Sequence, residues 1–167
     1  AVGEVVNAPG GEFESGAIVA TAMGGMGRTF DGGYAEFTAV PAHQVQEIRT
    51  SLDRTVLGAI PEMLQTAWGS LFRALRLEKD DTLLVRGGTT SVGLAAAAIA
   101  RRHGATVAAT TRNPDSAAML RDNGAHHVLI DTGDLADEVR KVFPCGVNKV
   151  LELVGATTLK DSLKATR

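Results

Sequence analysis

The chain has 167 residues, room for one ordinary domain or one and a fraction, and its 44% apolar content is enough for a sizeable core. A formal net charge of -2, a pI near 6.1 and the absence of a basic run interleaved with aromatics argue against nucleic acid or anionic membranes as partners. A single cysteine, Cys145, excludes an internal disulfide and a multi-cysteine zinc cluster. With no signal-peptide pattern, and no apolar stretch near the roughly 20 residues that span a bilayer, a soluble, cytoplasmic protein is expected.

Residues 1–50 are rich in glycine. Short β-like runs at Gly3–Val6, Ala17–Ala22 and Tyr34–Val40 are separated by the turn clusters Ala8–Gly11 and Gly24–Gly27. No helical period is visible, so this part predicts an antiparallel β segment. From Pro61 the period changes. Leu64, Ala67, Trp68, Leu71, Phe72 and Leu75 recur at three and four, which predicts a helix over 61–76 with Pro61 in its first turn.

Strands and helices then alternate. The pattern predicts strands at Thr82–Val85, Ala105–Thr110, His127–Ile130 and Lys149–Val154, and helices at Val92–His103, Pro114–Asp122 and Leu135–Val142. Gly104 follows the first of these helices, with Arg101 and Arg102 in its last turn. Asn113, Pro114 and Asp115 read as N-cap, first-turn proline and first-turn acid, and Asp134 as the cap of the third helix. The strands are apolar runs rather than alternations, as befits a sheet covered on both faces. Short connections make it parallel, right-handed and doubly wound.

The segment Val85–Gly93 joins the first parallel strand to its helix. A turn of this kind aims backbone N–H groups and a helix N-terminus at one point, which suits a pyrophosphate. The dinucleotide pattern G-x-G-x-x-G appears as Gly88-x-Thr90-x-x-Gly93, without its middle glycine. Thr90 and Ser91 serve equally well as helix caps or as phosphate donors. At the tip of the second strand stand Thr110, Thr111, Arg112 and Asn113, with no acid among them. A carboxylate there would suit NAD; an arginine fork suits the 2′-phosphate of NADP.

At this point the order of motifs resembles the medium-chain dehydrogenase/reductase family. The carriers are Gly32–Phe37 with Val40-Pro41, Pro61 through Thr66-Ala67-Trp68, the loop at 87–93, Gly124–Val128, and Gly146–Asn148 through Leu153–Gly155. The resemblance is to the zinc-free, quinone oxidoreductase-like branch and covers essentially the whole chain. It implies an α/β architecture, with part of a GroES-like β domain over 1–55 preceding part of a Rossmann NADP-binding domain over 56–167. It also implies that the chain is an internal piece, lacking the opening of the first domain and the far strands of the second.

The function implied is NADPH-dependent reduction of a quinone or activated enone, with a homodimer in the full-length parent. Cofactor residues carried over by position are Thr66 near the nicotinamide, Gly87, Gly88, Thr90, Ser91, Val92 and Gly93 at the pyrophosphate, Thr111, Arg112 and Asn113 at the ribose and 2′-phosphate, and Val154 and Gly155 at the nicotinamide half. Ser116 stands where many members carry a helping lysine, which weakens the NADP preference.

No catalytic residue is identifiable, and none of the remaining candidates assembles a metal site. Glu62 matches the place of a catalytic zinc ligand in zinc-dependent relatives but also reads as a first-turn acid. His126 and His127 are adjacent and point to opposite faces of a strand. His43 and Cys145 read as loop residues. Two other readings stay open: a cofactor-binding module or redox sensor without turnover, and a piece of a zinc alcohol dehydrogenase.

Overall fold

The computed structural model describes residues 1–167, which form two compact units, Ala1–Gln65 and Thr66–Arg167. In the first unit three short strands, β1 (Val2–Glu4), β2 (Ile18–Ala20) and β3 (Gln46–Glu47), pair antiparallel in the order β1-β2-β3. Val2 lies opposite Ala20, and Val19 opposite Glu47. Two of the three expected runs hold strands, the first shifted to Val2–Glu4 and the second trimmed to Ile18–Ala20; Tyr34–Val40 is not one. Tyr34 is fully exposed and Phe37 is 73% exposed, and no strand is laddered to them. An alternating run becomes a strand only where a neighbouring edge accepts its hydrogen bonds. A short helix that the periodicity missed, α1 (Arg54–Gly58), starts at Asp53, whose carboxylate accepts the Thr55 N–H at 2.8 Å.

The helix expected over 61–76 is two pieces. α2 (Ile60–Trp68) is a regular α-helix, and Gly69–Ala74 continues it as a wider π-turn in which Leu75 N–H reaches back to Ser70 O at 2.9 Å. Arg76, with φ of 49°, then closes it. Leu71 is completely buried, and Phe72 lies against both Trp68 and His103.

The second unit holds a four-stranded parallel sheet of β4 (Thr82–Arg86), β5 (Thr106–Thr111), β6 (His127–Ile130) and β7 (Lys149–Glu152), in the order β6-β5-β4-β7. The helices are α3 (Ser91–His103), α4 (Ala117–Asp122) after a single 3₁₀ turn at Pro114–Ser116, α5 (Leu135–Val142) and α6 (Ala156–Lys164). From β4 the chain steps through β5 to β6, then returns past β4 to place β7 on its other side. Right-handed crossovers therefore put α3 and α4 on one face and α5 on the other. Leu84, Ala108 and Leu129 pack with Leu135 and Val139 of α5 in one core layer. Leu83, Val85 and Val107, fully buried, alternate to the opposite face. The expected doubly wound Rossmann arrangement is present, and β4 and β7 flank the point where the strand order reverses.

The punctuation agrees in part. Gly104 takes the left-handed C-cap conformation, φ 102°, and Asn113 Oδ1 accepts Asp115 N–H at 3.1 Å. Asp134 caps nothing with its side chain. The first amides of α5, Leu135 and Ala136, are bonded instead by Asp161 of α6, at 2.8 and 3.2 Å. β7 stops at Glu152 rather than Val154 because the Glu152 carboxylate accepts Val154 N–H (2.7 Å) and Gly155 N–H (3.1 Å), folding the chain out of the sheet.

Candidate functional site

The site lies where the C-terminal ends of β4, β5 and β7 meet. Gly87 leaves β4 with φ of 86°, a conformation that favours glycine, and a Cβ there would sit 3.2 Å from the Leu153 Cβ. The turn is fastened to β5: Gly87 N–H donates to Thr110 Oγ1 and Gly88 N–H to Thr110 O, each at 3.0 Å. Thr90 explains why the missing middle glycine costs nothing. Its backbone is ordinary, φ -73° and ψ 158°. Its hydroxyl donates to Gly87 O (2.9 Å) and accepts the Gly93 N–H (3.0 Å), so the side chain closes the loop on itself and caps α3. Thr89, Thr90 and Ser91 are exposed. The amides of Ser91 and Val92, in the first turn of α3, find no acceptor within the chain. Two free N–H groups at the positive end of a thirteen-residue helix make an anion cradle.

At the tip of β5, Thr111 is buried and its hydroxyl bonds within the turn, accepting Asn113 N–H and donating to Asn113 O, both at 3.1 Å. Arg112 and Asn113 are exposed, and Arg112 forms no ion pair within the chain. Val154 is 54% exposed beside Gly155 at the end of β7. The loop, the β5 tip and the β7 end thus converge on one sheet edge. Thr66 is half-buried on α2; its hydroxyl bonds neither to its own helix nor to the loop.

Sequence reasoning missed the charged web beneath the loop. Arg86 belongs to β4, and its side chain is completely buried. Nε and Nη2 grip Asp131 bidentately at 2.7 and 2.8 Å, and Nη2 also donates to Gly133 O at 3.2 Å. Nη1 reaches Asp161 (2.8 Å), Thr158 O (3.1 Å) and Ser162 Oγ (3.1 Å). Ser162 in turn donates to Glu152. Burial works against the Arg86 cation, but its two carboxylate partners outweigh it and raise its pKa. The Arg86 hydrogen bond, more than the opposing burial, holds the Asp131 carboxyl below its usual range, with help from Gly133 N–H and the charges of Arg86 and Arg112. Glu152 is also lowered: burial raises it, and bonds from Ser162, Val154 and Gly155 overcome that. The available signal was an arginine ending an apolar strand, since buried arginine is almost always paired.

The remaining candidates disperse. Glu62 and Cys145 are exposed, and no group of three or more His, Cys, Asp or Glu side chains gathers to hold a metal. His126 Nδ1 accepts Val107 N–H at 3.0 Å, while His127 meets the Phe143 ring edge-on. No helix is long and apolar enough to cross a membrane.

A parallel sheet in this order, with a free-amide turn at its switch point, defines a dinucleotide-binding unit of the Rossmann type. The family described as zinc-binding dehydrogenase matches residues 91–167. A quinone oxidoreductase of Pongo abelii is 30% identical over 167 residues, covering 97% of this chain and 49% of that protein. The chain therefore spans about half the length of the curated relatives it matches. A quinone oxidoreductase structure from Pseudomonas syringae superposes with a TM-score of 0.88 at 22% identity, covering 99% of this chain and 50% of that one. A mycobacterial protein solved in complex with NADPH superposes with a TM-score of 0.86 at 28% identity, covering 99% and 51%. The chain is similar in sequence and in fold to quinone oxidoreductase-like members of the medium-chain dehydrogenase/reductase family.

Proposed function

We propose that this chain is the cofactor-binding part of an NADPH-dependent oxidoreductase acting on a quinone or an activated enone. The observation that carries the reading is the pairing of an open amide turn with an unpaired arginine at the β5 tip, where β5 itself ends without an acid. The amides of Ser91 and Val92 bind the pyrophosphate, and Gly87, Gly88, Thr90 and Gly93 shape the turn that presents them. Arg112 takes the 2′-phosphate, with Thr111 and Asn113 lining the ribose. Thr66, Val154 and Gly155 border the nicotinamide, Thr66 through its free hydroxyl. The bound cofactor supplies hydride; the residues here orient it and keep its charged half fixed. In this reading residues 1–55 are part of a GroES-like domain and 56–167 part of the NADP-binding domain, of a cytoplasmic enzyme that dimerises when whole.

The mycobacterial relative with bound NADPH and the quinone oxidoreductase relatives support this assignment. Calorimetric titration with NADPH and NADH tests the cofactor: NADPH is expected to bind more tightly, and equal affinities would remove the Arg112 argument. Consumption of NADPH with a simple quinone tests turnover; binding without consumption would favour a non-catalytic module.

A further inference from the structure

Asp131 follows β6 directly, and its backbone N–H donates to Thr111 O at 2.9 Å, so it runs beside the residue that precedes Arg112. A carboxylate at this place is unfavourable for a 2′-phosphate twice over: it repels the phosphate and competes for the guanidinium that would hold it. The Arg112 charge acts on Asp131, but no ion pair forms between the two. Both Asp131 oxygens are engaged by Arg86, and Oδ1 additionally accepts Gly133 N–H at 3.0 Å. Arg86 is itself fixed from the far side by Asp161, Ser162 and the Thr158 carbonyl. Asp161 is held in turn by the α5 amides. With 0% exposure the Arg86 side chain reaches no ligand.

On the NADP(H) reading above, we propose that Arg86 is a positioning residue for cofactor selectivity: its bidentate grip holds Asp131 away from Arg112 and leaves that guanidinium for the 2′-phosphate. Two opposite charges sit beside one another at the strand tips, and a buried third charge decides that they do not pair. The requirement is for a fork, since one planar group must satisfy both oxygens at once.

The test uses fragments that report the adenosine end alone, adenosine 2′,5′-bisphosphate and AMP, titrated calorimetrically alongside NADP⁺ and NAD⁺. Arg86→Met is expected to lower the preference for the 2′-phosphorylated partner of each pair about fivefold, the upper end for an exposed charge pair, while AMP affinity moves little. The double variant Arg86→Met/Asp131→Asn, in which no free carboxylate remains at the tip, is expected to recover the preference. A loss shared equally by both partners of each pair, or a double variant no better than the single one, would overturn the proposal. Should Arg86→Met fail to show a cooperative melt, Arg86→Lys carries the test: it keeps the charge without the fork, so the preference falls in the same direction, and an unchanged preference overturns the proposal. A native protein with no preference for the 2′-phosphate refutes the NADP(H) reading itself. A preference that survives loss of Arg86 refutes the Arg86 role alone.

Discussion

Gly93→Ala is the most direct probe of the loop. Gly93 is the third residue of α3, and a methyl added there would lie 2.6 Å from Gly87 O, 2.8 Å from Gly88 O and 2.9 Å from Gly88 C. Carbon and oxygen rarely approach closer than about 3.3 Å, so the turn must retreat by several tenths of an ångström. All three obstacles are backbone, and that backbone is tied to Thr110 by two bonds of 3.0 Å, so no side-chain rotation relieves the contact. Overpacking of this kind costs about 1–3 kcal/mol, against which alanine regains at most about 1 kcal/mol of helix propensity. A net loss of about 1–2 kcal/mol lowers the melting temperature of a unit this size by roughly 5–10 °C. The same shift misaims the Ser91 and Val92 amides. Since a hydrogen bond to a charged group is worth about 1.5 kcal/mol or more, NADPH affinity falls about tenfold or more. Thermal melting and calorimetric titration of the variant read both effects. A variant that melts like the native protein and binds NADPH as tightly would refute the close approach of α3 to the loop.

Arg112→Ala is expected to weaken NADPH binding about five- to tenfold and to leave NADH unchanged, because a charge-assisted pair is lost from one ligand only; equal losses in titration would remove its assigned role. Asp161→Ala removes at once one of the two carboxylate partners of Arg86 and both side-chain acceptors at the start of α5. Urea denaturation should register a loss of about 3–5 kcal/mol, the scale of a broken buried pair, and a loss below about 1 kcal/mol would show the web to be idle. Asp131 and Glu152 both have lowered pKa values in the folded chain. Unfolding therefore takes up protons as pH falls, so their contribution is complete above about pH 4.5 and is lost below it. Asp131→Asn should flatten the acid limb of a stability–pH curve between about pH 5 and 2; an unchanged limb would contradict the ion-pair assignment.

Much of the second unit was legible because its signals are local. Leu83, Leu84 and Val85 form an apolar run fully buried in β4, and the limits of β6 and α5 fall where the pattern put them. Asn113 and Gly104 act at their own helix ends. The first unit was less legible. Tyr34–Val40 has the alternation of a strand but no partner edge, and propensity alone does not supply one. α6 escaped notice because Leu159 and Leu163 are its only large apolar residues, and both are exposed.

The loop and the web beneath it differ in a way that explains which of the two a sequence reveals. Every bond that shapes the turn from inside, Thr90 to Gly87 and Gly93 to Thr90, spans three residues. The web closes over long separations: Arg86 meets Asp131 across 45 residues and Asp161 across 75, and Leu135 is capped from 26 residues away. A local reading assigns the cap to Asp134 because that acid is adjacent, and it leaves Arg86 in the loop because a lone arginine looks solvated. Burial makes the opposite outcome necessary. A guanidinium placed at the end of an apolar strand cannot stay unpaired, so the fold must deliver carboxylates to it from other elements. It draws them from the end of β6 and from α6. The arrangement that pairs Arg86 thereby fixes the Asp131 carboxylate, and on the proposed role of Arg112 cofactor choice becomes a property of the core as well as of the strand tip.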